Sequence, residues 1–168
     1  MTSPSRPGAA RLRGLVLSGL AATVLAGCSA GPVTVSSPED VPAADLEPCR
    51  ALVADVPDSL GDRERREVEP ADALGAAWGD PAIVMTCGGE PPALSSTAVC
   101  EEANGVGYFV NDAPLKDESV DVTLVTVGYE PIITVEVPAE QRPEGVAAAM
   151  AGLAAAVEEH TELVRPCL

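Results

Sequence analysis

The fold is decided by residues 120–137, VDVTLVTVGYEPIITVEV, where two β-branched runs flank a turn sequence. Residues 120–127 and 132–137 are rich in Val, Ile and Thr, which favour strands, and the GYEP between them is typical of a hairpin connection. In the second run, apolar side chains alternate with Thr134 and Glu136. One buried face and one solvent-facing face suit an antiparallel sheet, so the pattern predicts two neighbouring strands of such a sheet.

Two helices flank the predicted strands. Between residues 46 and 56, apolar side chains recur three or four positions apart, and Asp45 can cap this helix. The last helix begins near Pro143, a residue allowed in a first turn. Its other positions are largely alanine, so we expect it to approach the sheet closely. The two apolar stripes consist of Leu46, Cys49, Val53 and Val56, and of Val146, Met150, Leu153 and Val157.

Two shorter apolar runs, residues 82–87 and 107–111, predict further strands. Residues 61–70 are expected to form a charged connection with at most a short edge strand, and residues 90–103 a loop. We therefore predict an α+β fold, in which an antiparallel sheet of about four strands carries an N-terminal and a C-terminal helix on one face. The predicted single small domain covers residues 45–168.

The beginning of the chain has the three zones of an export signal. Residues 1–14 contain three arginines and no acid, residues 15–27 are apolar, and small residues lead into Cys28. As a helix the apolar run spans about 20 Å, short of a hydrocarbon core of about 30 Å. Because Leu25-Ala26-Gly27-Cys28 resembles a bacterial lipobox, residues 1–27 are predicted to be a lipoprotein signal peptide. The alternative is a simple cleaved signal followed by an incidental cysteine.

Lipidation of Cys28 would supply two acyl chains, which hold a protein stably where one chain holds it marginally. Residues 28–44 are rich in Ser, Pro, Gly and Ala and predict a flexible tether behind the lipid. We therefore expect the chain on the extracytoplasmic face of the cell membrane, with the membrane as its partner through Cys28.

The charge and composition of the chain exclude some classes of binding partner. The chain has ten basic and 26 acidic residues, a net charge of −16, and residues 1–27 contain three of the arginines and no acid, which leaves −19 for the rest. Nucleic-acid binding depends on Lys and Arg, so it is not expected. A solvated acidic shell is favoured over a cation-binding surface. With four aromatic residues, the sequence has no aromatic platform for a sugar or a nucleotide.

The cysteines agree with export. Besides Cys28 the chain contains Cys49, Cys87, Cys100 and Cys167. An even number in a small exported domain predicts two disulfides, and four cysteines allow three pairings. Their spacing matches no zinc motif, and a single histidine makes zinc still less expected.

No convincing catalytic set is visible. His160 lies beside two glutamates at a helix end and is expected on the surface, and Ser95-Ser96 has no apparent base. The acidic stretch of residues 111–121 lacks the spacing of a twelve-residue calcium loop. Nothing singles out two carboxylates as a glycosidase-like pair. We therefore predict no catalytic residue, no metal site and no cofactor.

Trp78, the only tryptophan, supports two readings. It can fill the core, with Gly79-Asp80-Pro81 forming a turn, and this reading is favoured. It can also be an exposed anchor at a partner site, because aromatic residues dominate interface energetics.

Residues 76–84, AAWGDPAIV, followed by Cys87-Gly88 and Pro91, resemble the signature of an actinobacterial lipoprotein family known as domain of unknown function 3515. The likeness covers about residues 46–160. The family has no established activity, so the resemblance implies class and compartment and no chemistry. Further matching segments are Cys49-Arg50-Ala51-Leu52, Val56-Pro57, Gly105-Val106 and Val135-Glu136-Val137-Pro138.

The chain departs from the family pattern at four places. Thr86 and Gly89 stand where the family tends to have an arginine and a larger apolar residue, and Tyr108 and Tyr129 stand near an expected tryptophan and arginine. If those groups serve a ligand in the family, this chain has altered the site. With Trp78, Tyr108 and Tyr129 are therefore the candidate partner-binding residues.

The resemblance also implies a pairing. Family members with two mature cysteines match Cys49 and Cys87, which makes these two partners and leaves Cys100 with Cys167. The rival pairing joins Cys87 to Cys100 and Cys49 to Cys167.

Taken together, the residues predict a lipid-anchored envelope domain without catalysis that binds an unknown envelope protein or a cell-wall component. The alternatives are a hydrolase that uses carboxylates alone and a structural envelope lipoprotein without a specific ligand.

We expect that replacing Cys28 by serine moves the protein from the membrane fraction to the soluble fraction, because the lipid is then the only attachment lost. Fractionation followed by immunoblotting measures this. A Cys28→Ser variant that stays with the membrane would contradict lipidation at this residue, and the matched Ser29→Ala variant should fractionate as the parent does.

Overall fold

The computed structural model describes residues 2, 31–91, 93, 96–142 and 144–167, and every element below belongs to these ranges. The helices are α1 (Leu46–Asp55), α2 (Asp112–Lys116) and α3 (Glu144–His160), and a 3₁₀ turn covers Ala139–Gln141. The strands are β1 (Val33–Thr34), β2 (Ser59–Leu60), β3 (Arg63–Arg66), β4 (Val68–Glu69), β5 (Gly75–Trp78), β6 (Ile83–Cys87), β7 (Val99–Ala103), β8 (Val106–Val110), β9 (Val122–Thr126), β10 (Tyr129–Glu130), β11 (Ile133–Val137) and β12 (Glu162–Leu163).

The main sheet has β11 near its centre, between β6 and β9. Val135 of β11 lies opposite Met85 of β6 and opposite Leu124 of β9, and the neighbouring strands are antiparallel. The hairpin predicted from residues 120–137 is therefore present as β9 and β11. The order of the eight strands across the sheet is β2-β3-β5-β6-β11-β9-β8-β7.

The predicted α+β class and antiparallel sheet are confirmed, but the predicted number of about four strands is wrong, because the main sheet has eight. The predicted four correspond to β6, β8, β9 and β11. The other four are short or lack an apolar alternation, such as RERR in β3 and VCEEA in β7. These segments are strands because a neighbouring strand offers unpaired backbone groups, which a local pattern does not reveal.

Helices α1 and α3 pack against each other and cover one face of the main sheet, as predicted. Cys49 and Leu52 of α1 and Leu153 and Val157 of α3 are fully buried there. Full burial of one such aliphatic side chain contributes about 1.5–3 kcal/mol. The expected close approach of α3 is also present, since a Cβ on Gly145 would lie 3.2 Å from Cδ1 of Ile83.

The beginning of the described chain does not behave as the predicted tether. Residues 33–38, which we call the N-terminal arm, lie on the sheet face opposite the helices. β1 pairs in parallel with β4, and the N–H of Val35 donates to the carbonyl of Glu69 at 3.0 Å. Val35 is 1% exposed and packs with Ala73 and Ala77. A tether was predicted because this segment contains few apolar residues. These residues nevertheless pack against small side chains at β5.

The end of the chain forms a second arm. Residues 162–167, the C-terminal arm, begin with β12, which pairs with β10. The N–H groups of Val164 and Arg165 donate to the carbonyl of Gly128 at 2.7 and 3.2 Å. Gly128 has φ +68°, and the carbonyl of Arg165 occupies the space that a Cβ would need there. The arm ends at the disulfide between Cys167 and Cys100.

The helices in the part of the chain that the structure describes are too short or too polar to serve as transmembrane segments. The predicted signal peptide of residues 1–27 lies outside the described residues apart from Thr2, and Cys28 lies outside them as well.

We expect Val35→Ala to lower the free energy of unfolding by about 1–3 kcal/mol, because it removes two buried methyl groups and leaves a cavity. Chemical denaturation measured by circular dichroism tests this. The matched control is Val164→Ala, at a side chain that is 52% exposed, and its effect should stay within about 0.5 kcal/mol. Equal stability of the Val35→Ala variant and the parent would show that residues 33–38 are a free tether.

Candidate functional site

The three aromatic residues predicted as a partner site lie inside the molecule. Trp78 and Tyr108 are 0% exposed and Tyr129 is 5% exposed. Nε1 of Trp78 donates to the carbonyl of Pro57 at 2.9 Å, and the hydroxyl of Tyr108 donates to the carbonyl of Met150 at 3.3 Å. In this structure none of the three presents a surface to a partner, and Trp78 has the packing role that the sequence analysis favoured.

The pKa values of the two tyrosines are raised by their surroundings. Burial raises the pKa of Tyr108 above its ordinary value, and the neighbouring Tyr129 adds to the rise. Burial also raises the pKa of Tyr129, with a smaller contribution from the carboxylates of Glu158 and Glu102. Both hydroxyls act as hydrogen-bond donors within the fold.

The disulfides have the pairing that the family resemblance implied. Cys49 of α1 is joined to Cys87 of β6, with their Cα atoms 5.4 Å apart. Cys100 of β7 is joined to Cys167, with their Cα atoms 6.2 Å apart. The first bridge fastens α1 to the sheet, and the second closes the C-terminal arm onto the opposite face.

The acidic stretch of residues 111–121 is organised by hydrogen bonds within itself and to residues outside it. A hydrogen bond from Lys116 to Asp112 at 2.7 Å lowers the pKa of Asp112, and a second hydrogen bond, from the side chain of Thr97, adds to this effect. The hydroxyl of Ser119 donates to Asp117 at 2.6 Å and lowers the pKa of Asp117. A carboxyl group serving as a general acid needs a raised pKa, and these two are shifted in the other direction.

Arg142 holds the same stretch against the 3₁₀ turn. Its guanidinium donates to the carbonyls of Pro114 at 2.8 Å, Asp117 at 2.9 Å and Val120 at 3.1 Å. Three backbone carbonyls of the stretch are thus held by one side chain from elsewhere in the chain. The stretch, which includes α2, is therefore ordered by these hydrogen bonds, and its geometry indicates no particular ligand.

The sheet face opposite the helices remains partly uncovered between the two arms. Side chains that lie directly opposite each other on neighbouring strands share a face, so cross-strand rows can be followed across it. We call this surface the open face. One row runs from β6 to β8 and contains Thr86, Thr134, Val125 and Phe109, and the next contains Val84, Glu136 and Thr123.

Each arm encloses a cavity at its border with the open face. The N-terminal arm, together with Val84, Thr86 and Glu136, lines a cavity of about 330 Å³. The C-terminal arm, together with Phe109 and Val127, lines another of about 340 Å³. Thr86 and Thr134 are half-buried, whereas Glu136 is exposed. The open face is thus a shallow polar and aliphatic surface with a cavity at each end.

Sequence reasoning identified part of this surface and missed the rest. The alternation in residues 132–137 correctly placed Thr134 and Glu136 on the face that does not pack on the helices. It did not indicate that the two ends of the chain border this face, because their pairing with β4 and β10 is long-range. No local pattern in residues 33–38 or 162–167 predicts that pairing.

Four of the seven lysine and arginine side chains in the described residues donate to backbone oxygen atoms. Arg65 donates to the carbonyl of Val53 at 2.7 Å, and Arg66 donates to those of Gly79 and Gly31 at 2.7 Å each. Arg63 and Arg142 make similar contacts. Among the described residues, ion pairs with lysine or arginine engage the carboxylates of Glu47, Asp62 and Asp112. Most of the 26 acidic groups therefore contribute to an uncompensated negative surface.

Comparison with known proteins gives one match. The family model described as "Protein of unknown function (DUF3515)" matches residues 12–165. Neither the curated proteins nor the solved structures contain a significant match to the chain.

We expect the melting temperature at pH 7 to rise by a few degrees when NaCl is raised from about 10 to about 200 mM, because salt screens repulsion among the carboxylates. Differential scanning calorimetry measures this. The internal control is the same series near the isoelectric point of about 4.2, where the net charge vanishes and the rise should largely disappear. A melting temperature that falls with salt at pH 7 would show that attractive ion pairs outweigh the repulsion.

Proposed function

The chain belongs to this family of unknown function, and we propose that it is a lipid-anchored domain on the extracytoplasmic face of the cell membrane that binds an envelope partner without catalysis. The observation that carries the binding role is the open face, a sheet surface bordered by two arms with a cavity at each end. The two disulfides support an oxidising compartment, because such bridges persist outside the cytoplasm.

The anchor we propose is a lipid on Cys28, the last residue of the sequence Leu25-Ala26-Gly27-Cys28. The carbonyl of Gly31 accepts a hydrogen bond from Arg66, and β1 begins at Val33. The four residues from 29 to 32 can span at most about 14 Å when fully extended. A lipid on Cys28 would therefore hold the sheet close to the bilayer, with the N-terminal arm on the membrane-proximal side.

The occupant we propose for the open face is an extended, basic segment of an envelope protein. The floor carries the hydroxyls of Thr86, Thr123 and Thr134, which both donate and accept hydrogen bonds, and the exposed carboxylate of Glu136 lies among them. The excess of carboxylates over basic groups favours a cationic partner and speeds its encounter. The half-buried side chain of Phe109, which lies opposite the buried Val125, extends the surface toward the C-terminal cavity.

We expect a photoreactive amino acid at position 134 to form an adduct in living cells that express the chain, whereas the same amino acid at position 155 should form none. Ala155 is exposed on α3, on the opposite side of the sheet, so it reports contacts that do not involve the open face and is at least as accessible as Thr134. Gel shift followed by mass spectrometry identifies the adduct. In the chain with the photoreactive residue at 134, Glu136→Lys should reduce the yield about tenfold or more through charge repulsion.

Adduct formation at position 155 to the same extent as at 134 would contradict binding by the open face. If the adduct at position 134 becomes soluble only after digestion of the cell wall, the partner is a wall polymer and the proposed protein partner is wrong. Turnover of a wall fragment by the purified chain would contradict the non-catalytic role.

A further inference from the structure

The last residues of α1 and α3 bring two carboxylates and one imidazole close together. Asp55 ends α1, and Glu159 and His160 end α3. One carboxylate oxygen of each acid and one imidazole nitrogen lie within 4.8 Å of one another. Asp55 and His160 are 105 positions apart in the chain, so no local pattern indicates this cluster.

The donor set suits a divalent first-row transition metal. Imidazole and carboxylate ligands bind such ions at about 2.0–2.2 Å, which places neighbouring tetrahedral ligands about 3.4 Å apart. Nε2 of His160 lies 3.2 Å from Oδ2 of Asp55, close to that separation. Glu159 can complete three protein ligands with a small side-chain movement, and a fourth position is left to water. Imidazole disfavours the hard cations Mg²⁺ and Ca²⁺ relative to Zn²⁺.

The electrostatic setting favours a cation independently of the donor atoms. The cluster lies where two helices end, and each helix end carries about half a negative charge. The last turn of α1 contains no basic residue, and the basic residue in the last turn of α3 is His160 itself. Arg65 from β3 donates to the carbonyls of Val53 and Val56 and offsets the charge at the end of α1. Two carboxylates thus meet beside the C-terminus of α3 in a chain whose net charge is already −16.

The side chains are also accessible and partly held in place. His160 is 19% exposed and Asp55 is 54% exposed, so an ion can enter from solvent. Their parent helices are fixed by mutual packing and by the disulfide from Cys49 to Cys87. We propose that Asp55, Glu159 and His160 form a binding site for Zn²⁺ or a related transition-metal ion, on the helical side of the molecule and separate from the open face.

The test is a titration of the purified full-length chain with ZnCl₂. Calorimetry measures the dissociation constant, and thermal unfolding measures the melting temperature at each ZnCl₂ concentration. A free Zn²⁺ concentration about 100-fold above the dissociation constant should raise the melting temperature by about 5–10 °C, and EDTA should reverse the rise. MgCl₂ at the same concentration should have no more effect than NaCl of equal ionic strength. An equal rise with MgCl₂ would reduce the effect to screening of the acidic surface and overturn the proposal.

Variants locate the site. Glu159→Gln removes one ligand and leaves the hydrogen bond between Asp55 and His160 intact, so its metal-free stability should match the parent. Its affinity for Zn²⁺ should fall about tenfold or more, as should that of His160→Gln. The matched control is Glu158→Gln, the adjacent exposed acid on the same helix, which should bind Zn²⁺ as the parent does.

Because every comparison is made between variants, zinc bound elsewhere on the chain contributes equally and cancels. If Zn²⁺ stabilises His160→Gln as much as the parent, or if Glu158→Gln and Glu159→Gln lose affinity alike, the proposed site does not exist. The outcome does not depend on whether the open face binds a partner.

Discussion

Burial of the apolar face of β11 beneath α3 is the interaction on which the other features of the structure depend. Ile133, Val135 and Val137 are each 0% exposed, and Leu153 and Val157 of α3 are equally buried. The alanine-rich surface of α3 makes the close approach possible, because small side chains keep the helix axis near the sheet. The hydrophobic effect acting on this layer fixes which face of the sheet is interior, and thereby which face is left for function.

Once the helical face is covered, the other face needs only partial cover. Its side chains are small or polar, such as Thr86, Thr134 and Glu136, so complete burial would desolvate groups without partners. The two arms cover the ends where aliphatic side chains occur, at Ala77 on one side and Val127 on the other. The middle is left as the open face, which is the surface that we propose for partner binding.

In the described part of this acidic chain, several arginine side chains bind backbone carbonyls and do not pair with carboxylates. Arg65 joins β3 to the end of α1, and Arg142 gathers three carbonyls of the acidic turn, so their charges serve as hydrogen-bond donors to the backbone. Hydrogen bonds from a charged donor contribute about 1.5–3 kcal/mol each, more than an exposed ion pair. The chain thus gains connections between distant segments, while its carboxylates remain available to solvent and to cationic partners.

Much of the helical layer and its sheet could be predicted because local alternation encodes which face is buried. The pattern in residues 120–137 specified a hairpin with Thr134 and Glu136 outside. The predicted stripe of α3 is buried at Met150, Leu153 and Val157, whereas that of α1 omitted the fully buried Leu52. The cysteine count predicted two disulfides, which are present, and the family likeness supplied the pairing of Cys49 with Cys87. The export signal and the lipid on Cys28 are sequence predictions about residues beyond the described domain.

Tertiary structure alone decided the remaining four strands, the docking of both arms, the burial of Tyr108 and Tyr129, and the meeting of Asp55 with Glu159 and His160. The reason is physical. A strand such as RERR in β3 exists because a neighbouring backbone has unsatisfied donors and acceptors, and an arm docks because a distant surface matches it. Such complementarity belongs to pairs of segments far apart in the chain, and neither member of the pair carries it alone.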